Sequence, residues 1–119
     1  MTDMGNPDNN AKPLSDQEKL CTMYESTFPM PRGTRIMAVL NEDDKTIKLL
    51  GSGKYVGYYI HPQLNIVNPK MELDDGKVVW GCECWWGEED KMKQMLQDRN
   101  KEIIKVDIDD VKAALERGE

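Results

Sequence analysis

Apolar positions along the chain change period several times, and those changes outline its elements. Leu20, Met23, Tyr24 and Phe28 recur at helical spacing. Ser15 and Glu18 precede them as a capping box, in which each side chain meets the other residue's backbone amide. A helix is therefore predicted over about 16–26, and Pro29 and Pro31 prevent its continuation. Ile36, Ala38 and Leu40 alternate, as on a strand with one buried face. Residues 41–44 are polar turn formers and 46–50 read as the return strand of a hairpin. Gly51, Ser52 and Gly53 allow another reversal or a bulge before a third strand over 55–60. His61 and Pro62 end that strand, and a loop with a short extended piece near Ile66 follows.

The clearest hairpin is predicted at 70–86, turning on Asp74, Asp75 and Gly76, since glycine accepts positive φ at little cost. Its second arm, 77–87, holds all three tryptophans and two of the three cysteines, and reads as the central strand. Strand parity puts Val78, Trp80, Cys82, Cys84 and Trp86 on an inward face, and Lys77, Val79, Gly81, Glu83 and Trp85 on an outward one. Three acids at 88–90 suit a helix N-terminus, with Met92, Met95 and Leu96 on its buried side. A final strand over 102–106 precedes a last helix capped by Asp107 or Asp109 and buried through Val111, Ala114 and Leu115.

This order predicts an α+β domain: an N-terminal helix, two C-terminal helices and a mostly antiparallel sheet of about five strands. Gly51, Gly53, Gly57 and Gly81 favour a strongly curved sheet or a partly open small barrel. Residues 1–14, rich in Asn, Asp, Pro and Gly, read as a disordered tail, and 15–119 as one domain.

Composition narrows the partners. The chain has 119 residues, with 16 basic against 22 acidic side chains, net −6. Nucleic acids and anionic membranes need a local positive excess, so neither is expected as a partner. The N-terminal stretch lacks the apolar core of a secretory signal, and no apolar run approaches membrane-spanning length. Cys82 and Cys84 are too close along one strand for a good mutual disulfide, which predicts free thiols and a cytoplasmic, reducing setting.

No motif fixes a chemistry. The 51–54 segment resembles a phosphate loop only superficially: Lys48 and Tyr55 stand where glycine and a hydroxyl residue are required, and a strand follows instead of a helix. Cys21, His61, Cys82 and Cys84 lack the paired spacing of a zinc site. A cysteine nucleophile with His61 as base conflicts with the expected inward thiols. The acidic clusters lack calcium-loop spacing and sit where turns and caps want aspartate. No metal or other cofactor is expected.

What remains is an outward aromatic face. If the 55–60 strand neighbours the central one, Tyr55 and Tyr59 join Glu83 and Trp85. That surface predicts a nonenzymatic binding or protein-interaction module, working with another protein or as a homodimer. The alternative is a small-molecule-binding protein or enzyme with a pocket lined by Trp85, Tyr55, Tyr59 and Glu83. A helix over this face, through Met92 to Leu96, would instead make it a second core layer.

Overall fold

The computed structural model describes residues 14–118, so the tail predicted over 1–14 lies outside the described residues apart from Leu14. The first helix, α1 (Asp16–Thr27), begins with the expected capping box: Glu18 N donates to Ser15 Oγ at 3.1 Å, and Ser15 N to Glu18 Oε1 at 2.8 Å. No α1 residue is fully buried, and the helix lies against the sheet as an outer layer.

Strands β1 (Arg35–Glu42) and β2 (Thr46–Ile60) form an antiparallel pair. Of the reversal or bulge expected at 51–53, the chain takes the second: the β1 register shifts beside Gly51, and β2 runs on through both glycines as one strand of 15 residues. Gly51 has φ +133°, which lets the chain bend without leaving the sheet. Gly53 pairs with Ile36 of β1 on one edge and with Leu73 of β3 (Val67–Leu73) on the other. There β2 passes from one partner to the next, and a Cβ on Gly53 would stand 2.2 Å from Glu72 O.

The turn at 74–76 closes the predicted hairpin between β3 and β4 (Val78–Trp80), with Gly76 at φ +88°. The central strand read over 77–87 does not exist as one element. Residues 81–84 form a turn, and the chain resumes as β5 (Trp85–Glu88). The turn is held by one bond of its own and two to β3: Glu83 N donates to Trp80 O at 2.9 Å, Gly81 N to Pro69 O at 2.9 Å, and Cys82 N to Asn68 Oδ1 at 2.7 Å. Pro69 Cγ would lie 2.6 Å from any Cβ on Gly81.

The break sends the two halves to opposite ends of the sheet, whose order is β4-β3-β2-β1-β5. Four interstrand steps span roughly 19 Å if flat, more than the roughly 17 Å that five residues reach when extended. The sheet therefore curls, and it stays open. Helix α2 (Glu89–Arg99) then crosses to β6 (Glu102–Lys105), a sixth strand parallel to the start of β2. Helix α3 (Ile108–Glu116) follows, capped by Asp107, whose Oδ1 accepts from Asp109 N at 2.8 Å. Thus the α+β class, the largely antiparallel curved sheet and the three helices stand as expected.

The core has two layers. Ile36 and Ala38 of β1 face Leu50, Tyr55, Met71, Leu73, Val79 and Ile108. Met37 and Val39, on the other side of β1, face Ile47 and the α2 residues Met92 and Leu96. Because β1 is covered on both faces, its side chains read as a continuous buried run. The break at 81–84 also reverses part of the expected parity. Val79 is fully buried in the first layer, while Trp80 is buried outside both layers, beside His61.

Candidate functional site

The four residues expected to share an outward face occupy four different settings. Tyr55 is core: its side chain is fully buried and touches Phe28, Tyr58 and Trp86. The expectation that it sides with Tyr59 assumed uninterrupted alternation. A bulge between Tyr55 and Gly57 breaks that alternation, with Gly57 at φ +129°. Tyr55 and Tyr58 consequently turn to the same layer, and Tyr59 turns away. Burial, reinforced by the Glu25 carboxylate, pushes the Tyr55 phenol up to about 12.

Tyr59 stays 40% exposed near the far end of β2. Two cations lie over its ring, the Arg32 guanidinium at 5.7 Å and the Lys70 ammonium at 5.2 Å from the centroid. The Lys70 ammonium also reaches Trp80, 5.6 Å from that ring centre.

Glu83 belongs to the 81–84 turn and is not on a strand with Trp85. One oxygen, Oε1, accepts from Trp80 N at 3.1 Å. The other lies 3.2 Å from His61 Nε2 and 3.0 Å from Lys112 Nζ of α3. His61 is buried, and its Nδ1 accepts from Gln63 N and Leu64 N at 3.2 and 3.1 Å. That assigns the ring proton to Nε2, which donates to Glu83. Both ring nitrogens are thereby committed to holding the 61–66 loop against the 81–84 turn. Around this cluster Gln63, Leu64, Leu115 and Glu116 shape an open groove of about 280 Å³.

Trp85 lies on β5 opposite Val39, on the α2 side of the sheet. Helix α2 covers this layer through Met92 and Leu96 but stops short of Trp85, which is 42% exposed. The Arg99 guanidinium, from the last turn of α2, lies 5.5 Å from the indole centre. Arg99 also pairs with Glu42 at the end of β1, and Lys101 Nζ reaches the same carboxylate at 2.7 Å. Helix α2 therefore covers Met37, Val39 and Ile47 of the sheet and leaves Trp85, which the covered-face alternative would have buried, partly exposed.

Tyr59 and Trp85 do not form one patch. Trp85 is opposite Val39, and Val39 is opposite Leu49. From Leu49 to Tyr59 is ten residues of β2, roughly 30 Å of extended strand.

The thiols also depart from expectation. Cys82 is exposed because it belongs to the turn, whereas Cys84 is half-buried with its Sγ 3.5 Å from Trp80 O. Burial and the neighbouring Glu83 charge raise both, Cys84 to about 12. Lys112 acts on Cys82, but burial and the Glu83 charge outweigh it, so neither thiol is activated as a nucleophile, and His61 has no free nitrogen to serve one. Among the described residues no cluster of three or more metal-ligating side chains occurs.

Sequence reasoning singled out neither Arg99 nor Lys112. Each meets its partner across the fold, and no local pattern marks such a contact. No family model, no curated protein and no solved structure matches the chain.

Proposed function

We propose that the protein is a nonenzymatic interaction module whose contact surface centres on Trp85. The observation carrying this reading is the setting of that side chain: a tryptophan at the uncovered margin of the α2 layer, 42% exposed, with the Arg99 guanidinium over its ring. Tryptophan and arginine are the side chains most enriched at binding hot spots, and the pair offers an apolar anchor beside a fixed cation. A protein partner with an apolar side chain next to a carboxylate has the complementary chemistry. The acidic net charge argues against a nucleic-acid partner. Free Cys21, Cys82 and Cys84 fit a reducing, cytoplasmic setting. Among the described residues no helix is long and apolar enough to cross a membrane.

The test is Trp85→Ser. Binding of a protein partner should weaken by about thirtyfold, the equivalent of ~2 kcal/mol, while Tm stays close to wild type. A large drop in Tm with partner binding unchanged would make Trp85 a packing residue and remove the reading.

A small-ligand reading has one supporting observation of its own. The groove over His61 and Glu83 has apolar walls in Leu64 and Leu115 and a cation in Lys112. Of the pocket-lining residues expected from sequence, only Glu83 lies there. A carboxylate ligand held by Lys112 would shift the amide resonances of Gln63 and Leu64 in a titration.

A further inference from the structure

The outer edge of β6 is built for pairing, and its residues decide with what. All four of its residues are exposed, including Ile103 at 47% and Ile104 at 37%. Among the described residues the strand pairs only with β2, in parallel, with Thr46 opposite Glu102 and Lys48 opposite Ile104. Glu102 N donates to Lys45 O at 3.1 Å and Val106 N to Leu49 O at 2.9 Å. The even-numbered residues thus spend their amides on β2, and Ile103 and Lys105 turn theirs outward. Natural edge strands are usually blunted by shortness, lysine and other charges, proline or bulges. β6 is short and ends in Glu102 and Lys105, but its centre is two adjacent isoleucines, one on each face.

From this we infer that β6 pairs antiparallel with β6 of a second copy of the chain, making one continuous sheet about a two-fold axis. This rests on residues other than Trp85. An isologous contact of this kind matches each residue with its symmetry-related counterpart. Hydrogen-bonded pairing needs outward amides on both sides, so odd residues must face odd residues, which leaves two compact registers.

In one register Ile103 faces Ile103 of the second copy, and Lys101 then faces Lys105, a like-charge opposition that destabilises the pair. In the other, Ile104 faces Ile104 on the axis, Ile103 faces Lys105, and Lys101 faces Asp107. Asp107 is still extended, at φ −102° and ψ 128°, so the register reaches it. Lys101 already reaches Glu42 at 2.7 Å, and Asp107 already caps α3 and lies 3.9 Å from Lys77, so this register is selected by keeping Lys101 away from Lys105. Lys105 is already neutralised in part by Asp75, with 3.7 Å between Nζ and Oδ2. Helix α3 does not obstruct the edge: Ile108 enters the first core layer and Lys112 reaches Glu83 at 3.0 Å.

The experiment uses the full chain in light scattering across a concentration series. Wild type should reach twice the chain mass. Ile104→Glu and Ile104→Lys, which place like charges together on the axis, should each remain monomeric, with the dissociation constant raised at least about tenfold. Mixing the two variants should restore the dimer, because Glu then faces Lys. Circular dichroism on each variant confirms that it is folded, as expected for a position already at the surface. Hydrogen exchange should show the Ile103 and Lys105 amides gaining protection as concentration rises.

A wild-type chain that stays monomeric overturns the inference. So do folded Ile104 variants that remain dimeric, or rescue by an Ile103→Glu and Ile103→Lys mixture in place of the Ile104 pair. Trp85→Ser should leave this dimer intact. If it alone abolishes the dimer, self-association runs through Trp85 and the β6 pairing is wrong.

Discussion

Tyr55 and Trp86 stack almost parallel, with 11° between their rings and 6.3 Å between centroids. They come from β2 and β5, strands separated in the sheet by β1. Phe28, just past α1, packs against both, 5.2 Å from the Tyr55 ring and 6.1 Å from Trp86. One aromatic cluster therefore joins the N-terminal helix, the long strand and the edge strand that the 81–84 turn sends across the fold.

The Tyr55 hydroxyl is buried and has no hydrogen-bond partner among the described residues. A desolvated, unpaired hydroxyl opposes folding, while the ring supplies the packing. Tyr55→Phe keeps the ring and should raise stability by about 1 kcal/mol in urea unfolding. A loss of similar size would show that the hydroxyl is bonded in the native state.

Gly53 offers a sharper test of the strand exchange. An added Cβ would lie 2.2 Å from Glu72 O and 2.6 Å from Leu73 Cα, both backbone atoms that cannot swing away. Gly53→Ala should cost about 3 kcal/mol or more by forcing β3 off β2. Gly76→Ala meets open space and carries only the strain of φ +88°, so about 1–2 kcal/mol is expected. Equal losses for the two would mean that β2 does not pass between β1 and β3 at Gly53.

These positions also show what could be read beforehand. Ser15 with Glu18, and the 74–76 turn, are local devices, and each formed where its residues predicted. The burial of Tyr55 was set by the bulge before Gly57, and the fate of 77–87 by remote contacts. Pro69 and Asn68 hold the 81–84 turn from another strand, and nothing within 77–87 announces them. Alternation put Ile36, Ala38 and Leu40 on one face of β1 despite the shifts in its pairing with β2, although both faces are covered. It failed at the bulge before Gly57, which carried Tyr55 into the core, and at the 81–84 turn, which separated Glu83 from Trp85.

The two strand-flanking thiols should separate under alkylation. Cys82 is exposed in its turn, while Cys84 is half-buried and raised to about 12 by burial and by Glu83. In the native protein near pH 8, Cys82 should be modified well before Cys84, and unfolding should release Cys84. Peptide mass spectrometry over time reads both. Equal native rates would place Cys84 at the surface.

Asp43 links the β1–β2 turn to acid stability. Its carboxylate accepts from Lys45 N at 2.9 Å and from Thr46 N and Oγ1 at 2.7 and 2.9 Å. These bonds, the Lys45 amide first, bring the carboxyl down to about 2 from 3.8. A carboxyl depressed by folding binds its proton more readily in the unfolded chain. Its contribution is therefore fully present above about pH 4, falls with pH, and is gone below the folded value of about 2. Asp43→Asn keeps an oxygen that can accept the turn amides but cannot titrate, so the stability gap between it and wild type should narrow as pH falls across that window. Urea unfolding at several pH values measures the gap, and a carboxyl-carbon NMR titration locates the folded value directly. A gap constant down to pH 2, or an Asp43 titration near 4, would show that the carboxylate does not hold this turn in solution.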